Sequence, residues 1–179
     1  GIFVALAACE DYEQQTIKNI YVRGYTRTQT YYAKLIAAAA GVTAMFLAVL
    51  AFSFTLGTLL FGAGIRDVRF LAVIGTQYIA AMADTALAFA IAAFLRRNGS
   101  SIAAIIVAPM IVNMVLSLAD SFLRLEDFSL TSLWVSSFMS DLSSVGVSGE
   151  RLLVCLAGSL LYIPVFAIGG QYLNKSIKL

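Results

Sequence analysis

Leu35–Phe61 reads LIAAAAGVTAMFLAVLAFSFTLGTLLF, 27 residues without a charge. An α-helix rises about 1.5 Å per residue, so this run extends about 40 Å, beyond the roughly 30 Å hydrocarbon core of a bilayer. A helix of that length crosses with tilt or projects from one face. Three more stretches share its character. Leu71–Leu95 carries a single charge, Asp84. Ile102–Ala119 and Leu152–Gly170 carry none. The sequence therefore predicts an all-α, polytopic transmembrane helix bundle with four full spans, about 35–61, 71–95, 102–119 and 152–170, forming one domain over 1–179.

Composition agrees. Hydrophobic residues make up 60% of the 179, and charged residues only 12%, about half the usual share in a soluble domain. That excludes a soluble enzyme domain, a disordered chain and a nucleic-acid binder. The net charge of +2 gives no field that would draw a polyanion. There is no histidine, so the commonest metal ligand and the commonest general base are both missing. Two distant cysteines make neither a disulfide framework nor a CxxC metal site. Cys9 is expected near the inner end of one span and Cys155 near the outer end of another, so they should not pair.

Gly1–Cys9 (GIFVALAAC) is apolar but too short to cross. It lacks the basic n-region of a signal peptide. It reads as the inner end of a span that begins before the sequence, which implies at least five spans, and six with a first helix before that.

Orientation follows from the basic residues. Lys18, Arg23, Arg27, Lys34, Arg96, Arg97, Lys175 and Lys178 fall on the side of 10–34, the Arg96-Arg97 turn and the tail. Arg66, Arg69, Arg124 and Arg151 fall on the other, among six acids. The first side, with the C-terminus, is expected to be cytoplasmic in a plasma-membrane, multi-pass protein.

Residues 10–34 form the richest polar segment. Acids at Asp11 and Glu13 suit the start of a helix. Ile17, Ile20 and Tyr21 then share one face, with Lys18, Asn19 and Arg23 around the rest. Gly24 is a natural stop. Thr26-Arg27-Thr28-Gln29 reads as a capping box, so a fresh helix starts near Arg27. The expectation is an amphipathic helix, a glycine break and a new span. An interfacial helix lying on anionic lipid headgroups fits the same pattern equally well. On the outer side, 120–150 is too long for a turn. Leu130, Leu133, Trp134 and Phe138 recur at helical spacing. They predict a short re-entrant or interfacial helix, either an external gate or an amphipathic loop on lipid.

Asp84 lies near the middle of its span. A charge there is costly and should face the bundle interior or a cavity. It serves as a proton, cation or substrate site, or as a neutral carboxyl that packs helices. Gln77, Asn113 and Ser117 are candidates for bonds between helices, each worth under about 2 kcal/mol. Gln77, Asp84, Asn113 and Trp134 are the candidate pathway residues. Pro109 should kink its span. Ala37–Gly41 and Ser53–Gly57 are small-residue pairs that permit close approach. No phosphate loop, G-x-S-x-G elbow or H-E-x-x-H is present. No catalytic residue, metal ligand or cofactor site is expected in this chain.

The stretch EDYEQQTIKNIYVRGYTRTQTYYAK, Glu10–Lys34, resembles the cytoplasmic segment of type-2 ABC-exporter permeases. The matches are Glu10, Thr16-Ile17-Lys18-Asn19, Gly24, Thr26-Arg27 and Lys34. Gln15 stands where that family commonly has Gly, and Gly24-Tyr25 where many members have Pro and an apolar residue. The resemblance extends over the whole chain as a layout: six spans, with short outer helices between the last two. It implies that the helix around Gln14–Arg23, with Gln14, Thr16, Ile17, Lys18, Ile20, Tyr21, Arg23, Gly24 and Arg27, docks on a separate cytoplasmic ABC ATPase subunit. Glu10 would hold that helix to the bundle. ATP-Mg would sit on that partner, and a second permease chain, identical or related, would complete the pathway for a peptide, lipid or drug-like substrate. Antimicrobial-peptide export or immunity is frequent among such small permeases. Two other functions compete: an ion-coupled secondary transporter or channel using Asp84, and a non-transporting scaffold. One buried ionisable group is few for a proton-coupled carrier, and no internal repeat is visible.

Overall fold

A computed structural model describes residues 1–13, 22–62, 68–123, 129–143 and 148–176. They form helices throughout: α1 (Ile2–Glu13), α2 (Arg27–Phe61), α3 (Val68–Leu95), α4 (Asn98–Leu123), a 3₁₀ turn (Leu130–Leu133), α5 (Val135–Ser143) and α6 (Gly149–Ser176). No strand occurs among the described residues. Four helices, α2, α3, α4 and α6, are long and apolar enough to cross a membrane. Each contains one of the four apolar runs and continues past it at one end or both. The added turns carry Arg27, Lys34, Arg69 and Arg151, whose long side chains reach polar surroundings from a helix end.

Helix boundaries follow local chemistry. At the start of α2, the Thr26 Oγ1 accepts from the Gln29 N–H at 3.3 Å, and the Gln29 Oε1 accepts from the Thr26 N–H at 3.0 Å. This is the capping box read from the sequence. Gly24 just before it has φ +89°, a left-handed conformation that favours glycine. Gly62 ends α2 at φ +76°, its N–H donating to the Thr58 carbonyl. α3 ends at Arg96, a non-glycine at φ 55°, whose N–H reaches the Ala92 carbonyl at 2.9 Å. That conformation costs about 1 kcal/mol or more, and the side chain is anchored, as described below.

Helix α3 is the centre of the bundle. Half of its apolar stretch is buried (50%), against 6% for α2, 0% for α4 and 11% for α6. It packs on α1, α2, α4, α5 and α6, most extensively on α6. The reason is its alanines: Ala80, Ala83, Ala86, Ala88, Ala90, Ala92 and Ala93 are all buried. Small side chains let backbones approach closely where burial alone gives little drive between helices. The closest approach is at Gly170 of α6. A Cβ there would lie 2.8 Å from the Ala90 Cβ and 3.0 Å from its Cα. Near the same end, Val4, Ala8, Cys9, Tyr31, Ala38 and Phe89 form one core cluster. Gly41 of α2 receives the Phe3 ring of α1. Of the two small-residue pairs in α2, Gly41 thus makes a close contact while Ala37 is exposed. Ser53–Gly57 makes none, since nothing lies within 4 Å of a Cβ at Gly57.

The flanks are bare. Leu47, Val49, Phe52, Phe54, Leu59 and Leu60 of α2 and Val107, Met110, Met114 and Val115 of α4 are exposed. Large apolar side chains on the outside and alanine within reverse the pattern of a soluble bundle, and this suits an acyl-chain solvent. Pro109 and Pro164 both sit inside continuous helices.

Residues 129–143 depart from the single helix expected there. The chain breaks at Trp134, in extended conformation (φ −77°, ψ 142°). Leu130 and Leu133 belong to a separate 3₁₀ turn with no buried residue. The buried seam of α5 is Val135, Phe138 and Leu142. The apolar spacing used in the sequence straddled this break, and only Phe138 lies on the true seam.

Candidate functional site

Polar side chains concentrate at the two ends of the bundle and at one point between them. At the end where α2 begins, three ties join helices distant in sequence. Lys34 Nζ donates to the Ala8 carbonyl of α1 at 3.2 Å. Tyr32 Oη donates to Gln171 Oε1 at 2.8 Å, and Gln171 Nε2 reaches Thr28 Oγ1 at 3.4 Å. Arg96 Nη2 donates to Asn174 Oδ1 at 3.0 Å and to its carbonyl at 3.2 Å. The final turns of α6 are thereby fixed to the first turn of α2 and to the α3–α4 turn. Glu10 is exposed in the last turns of α1, Arg23 is exposed beside Gly24, and Arg27 opens α2. Gln14, Thr16, Ile17, Lys18, Ile20 and Tyr21 lie outside the described residues, so the expected amphipathic helix does too.

At the opposite end, the 3₁₀ turn and α5 fold back as a cap. The Asp120 carboxylate, at the end of α4, accepts from the Leu130 N–H at 2.7 Å, the Thr131 N–H at 3.1 Å and the Thr131 hydroxyl at 2.8 Å. It thus satisfies donors that a helix start leaves orphaned. Arg151, in the first turn of α6, pairs with Asp141 of α5 and donates to the Ser132 carbonyl at 2.8 Å. Tyr162 Oη donates to the Leu133 carbonyl at 3.0 Å. Beneath the cap, Phe138 and Leu142 cover Ala80 and Cys155. The Phe138 ring lies over Gly158, where a Cβ would come within 2.6 Å of it.

The intramembrane candidates divide accordingly. Gln77 Nε2 donates to the Leu142 carbonyl at 3.2 Å, and Asn113 Nδ2 to Ser136 Oγ at 3.0 Å. Both grip the cap. Trp134 stands at its hinge, edge-on to Tyr162 with ring centroids 6.3 Å apart, and its buried indole N–H meets no acceptor among the described residues. Asp84 stands apart, about 10 Å along α3 from Gln77. It is half-buried, and among the described residues no hydrogen bond or salt bridge reaches its carboxylate. Cys9 and Cys155 are both buried and are not joined to each other in a disulfide. Cys9 Sγ lies 3.5 Å from the Ala92 carbonyl and 3.3 Å from Ser101 Oγ, joining α1, α3 and α4.

The sequence reading missed Asp120, Asp141 and Arg151, and it missed Arg96–Asn174 and Tyr32–Gln171. A signal existed for the first three: charged residues bracketing an amphipathic outer segment. The others are pairs far apart in sequence with no local mark. No group of three or more potential metal ligands occurs among the described residues.

A family model described as a protein of unknown function (DUF2705) matches residues 2–150. The match takes in everything from α1 through the cap and stops at the first turn of α6. The chain belongs to that family. No curated protein and no solved structure matches it.

Proposed function

We propose that this chain is the membrane permease subunit of an exporter driven by a separate ATPase subunit. The observation that supports the reading most is the break at the base of α2. A glycine in left-handed conformation and a capping box restart the helix directly after 10–23, and Tyr32 and Thr28 in its first turns grip Gln171 of α6. A force applied to the segment before Gly24 would pass into α2 and α6 together. In this reading that base is cytoplasmic, as the basic residues imply. The segment around Ile17 and Ile20 docks on the ATPase, ATP-Mg stays on that partner, and two permease chains enclose the pathway. The cap closes the outer end. The cargo is a peptide, lipid or drug-like molecule.

Gentle detergent purification from the native membrane, followed by mass identification, tests this. A stoichiometric soluble protein with a phosphate loop is expected; a chain that emerges alone or only with itself refutes ATP coupling. Replacing Ile17 and Ile20 with Asp should then uncouple ATP hydrolysis from transport without preventing membrane insertion.

A second reading, an ion-coupled carrier or channel, is favoured by the unmatched carboxylate of Asp84. It requires transport by the chain without any ATPase.

A further inference from the structure

The chain has two prolines, and each lies inside a helix that is tied at both ends of the bundle. On α4, Ser101 meets Cys9 near the base, while Asn113 and Asp120 hold the cap. Pro109 falls between them. On α6, Arg151 and Tyr162 hold the cap, while Gln171 and Asn174 hold the base. Pro164 falls between them. Among the described residues no hydrogen bond leaves α4 between Ser101 and Asn113, and none leaves α6 between Tyr162 and Gln171. The central helix α3 differs: half of its apolar stretch is buried, and it contains no proline.

The two prolines also share a depth. Pro164 lies ten residues before Asn174, which bonds Arg96 in the α3–α4 turn, and Pro109 lies eleven after Asn98, which opens α4 from that turn. At about 1.5 Å per residue both stand roughly 15–17 Å from the base, near mid-bundle. Proline has no N–H to donate, so the Ile105 and Leu160 carbonyls lose their helical donors. A helix bends at such a point more readily than elsewhere. On α6 the ring lies on the bare side: Pro164 is exposed, with Leu160, Leu161 and Val165 around it. The side that meets α3 does so through small groups, Gly170 against Ala90. Such a contact has no large side chain to interlock when the base half of α6 shifts.

We propose that Pro109 and Pro164 form one hinge level across α4 and α6, about which the base of the bundle opens while the cap stays shut. The use of the hinge rests on reading the bundle as a transport pathway, and it deepens that reading by separating the pathway's two closures. A pathway that drives cargo one way must not be open at both ends at once. Unbroken helices running from base to cap would carry a displacement of one end to the other as rods. A bend at mid-depth takes that displacement up. α3, without a proline, keeps the two halves in line.

The test is hydrogen–deuterium exchange of the purified chain, with whatever subunits it retains, in lipid nanodiscs, read together with maleimide labelling of Cys155 beneath the cap. Gln171→Ala with Asn174→Ala cuts the base ties of α6. Amides of 165–176 should then exchange about tenfold faster or more, as for two hydrogen-bonded ties lost. Exchange in 149–163 and α5, and the Cys155 labelling rate, should stay within about threefold. Tyr32→Phe removes only the hydroxyl that meets Gln171 and should give the same pattern at about fivefold, even if the double variant does not fold. Ser101→Ala should likewise speed exchange in 98–108 and leave 110–123 unchanged. With Pro109 and Pro164 both replaced by Ala, the α6 base change should reach 149–163 and speed Cys155 labelling beyond threefold. Acceleration that crosses Pro164 while the proline is present, no acceleration at the base, or a boundary that persists once both prolines are alanine overturns the proposal. The first two outcomes use the native prolines and hold even if the alanine variant does not fold. A chain that purifies without an ATPase yet shows the boundary refutes ATP coupling and leaves the hinge standing. A chain that brings an ATPase but shows no boundary refutes the hinge alone.

Discussion

Phe138→Ala should unlatch the cap while leaving the bundle folded. The ring is fully buried, with Ala80, Leu142 and Cys155 around it and Gly158 directly beneath. Phe→Ala changes at such sites cost about 3–5 kcal/mol in tight cores. Here the cap lies at the end of the bundle and relaxes more easily, so about 3 kcal/mol is the working figure. The polar ties from Gln77, Asn113, Tyr162 and Arg151 remain, each worth roughly 1 kcal/mol. A change of 1.4 kcal/mol is tenfold in a population, so the open fraction should rise about a hundredfold. The protein carries its own reporter. Cys155 lies under the cap, whereas Cys9 lies in the bundle core against Ser101. In the variant, maleimide labelling of Cys155 should accelerate by about that factor, with Cys9 still protected. If Cys155 labels within about threefold of the wild-type rate, the ring does not hold the cap. If Cys9 becomes reactive as well, the cap is not a separate unit and the reasoning fails in another way.

Gly170→Ala places a methyl against the Ala90 backbone and should lower stability by about 1–3 kcal/mol as overpacking, while Gly57→Ala, in open space, should leave thermal unfolding in detergent unchanged. Thr26→Ala removes the capping box and should cost about 0.5–2 kcal/mol in the same assay, with Thr26→Ser recovering most of it. Arg151→Ala removes the Asp141 pair and the Ser132 contact together. Both side chains of that ion pair are about a third exposed, so the pair itself is worth under about 1 kcal/mol. Cys155 labelling should therefore rise only several-fold, and a rise as large as that of Phe138→Ala would show that the pair has been undervalued.

Local chemistry was legible in the sequence. The capping box at Thr26 and Gln29 and the left-handed torsion at Gly24 are settled within a few residues, so the start of α2 could be placed before any fold was known. The four spans were legible because each is an apolar run with at most one charge and about the length a crossing helix needs. The ranking of the spans was not. α3 is central because its alanines admit close neighbours, and alanine in a run of apolar residues does not declare which way it faces. The ties at the base join Tyr32 to Gln171 and Arg96 to Asn174, and no local pattern links such distant positions. The seam of α5 was misread because the break at Trp134 shifts the helical phase, so Leu130 and Leu133 fall out of register with Phe138. Asp84 was legible as a lone charge, but its lack of any bond became visible only with its neighbours in place.

The position of α3 has a consequence for biosynthesis. Its most apolar stretch is less apolar than those of the other three long helices, and it carries an acid near its middle, a position where Asp opposes insertion by about 2.5–3.5 kcal/mol. It is also the helix most fully screened by the others. Fused to a foreign protein as a single anchor, α3 would partition poorly, whereas α2 or α4 alone would hold in lipid. In its own chain it follows α1 and α2 out of the ribosome and precedes α4 by a two-residue turn. Its retention in the bilayer is therefore a property of the company it arrives in, and the order of the helices along the chain is part of what makes the bundle possible.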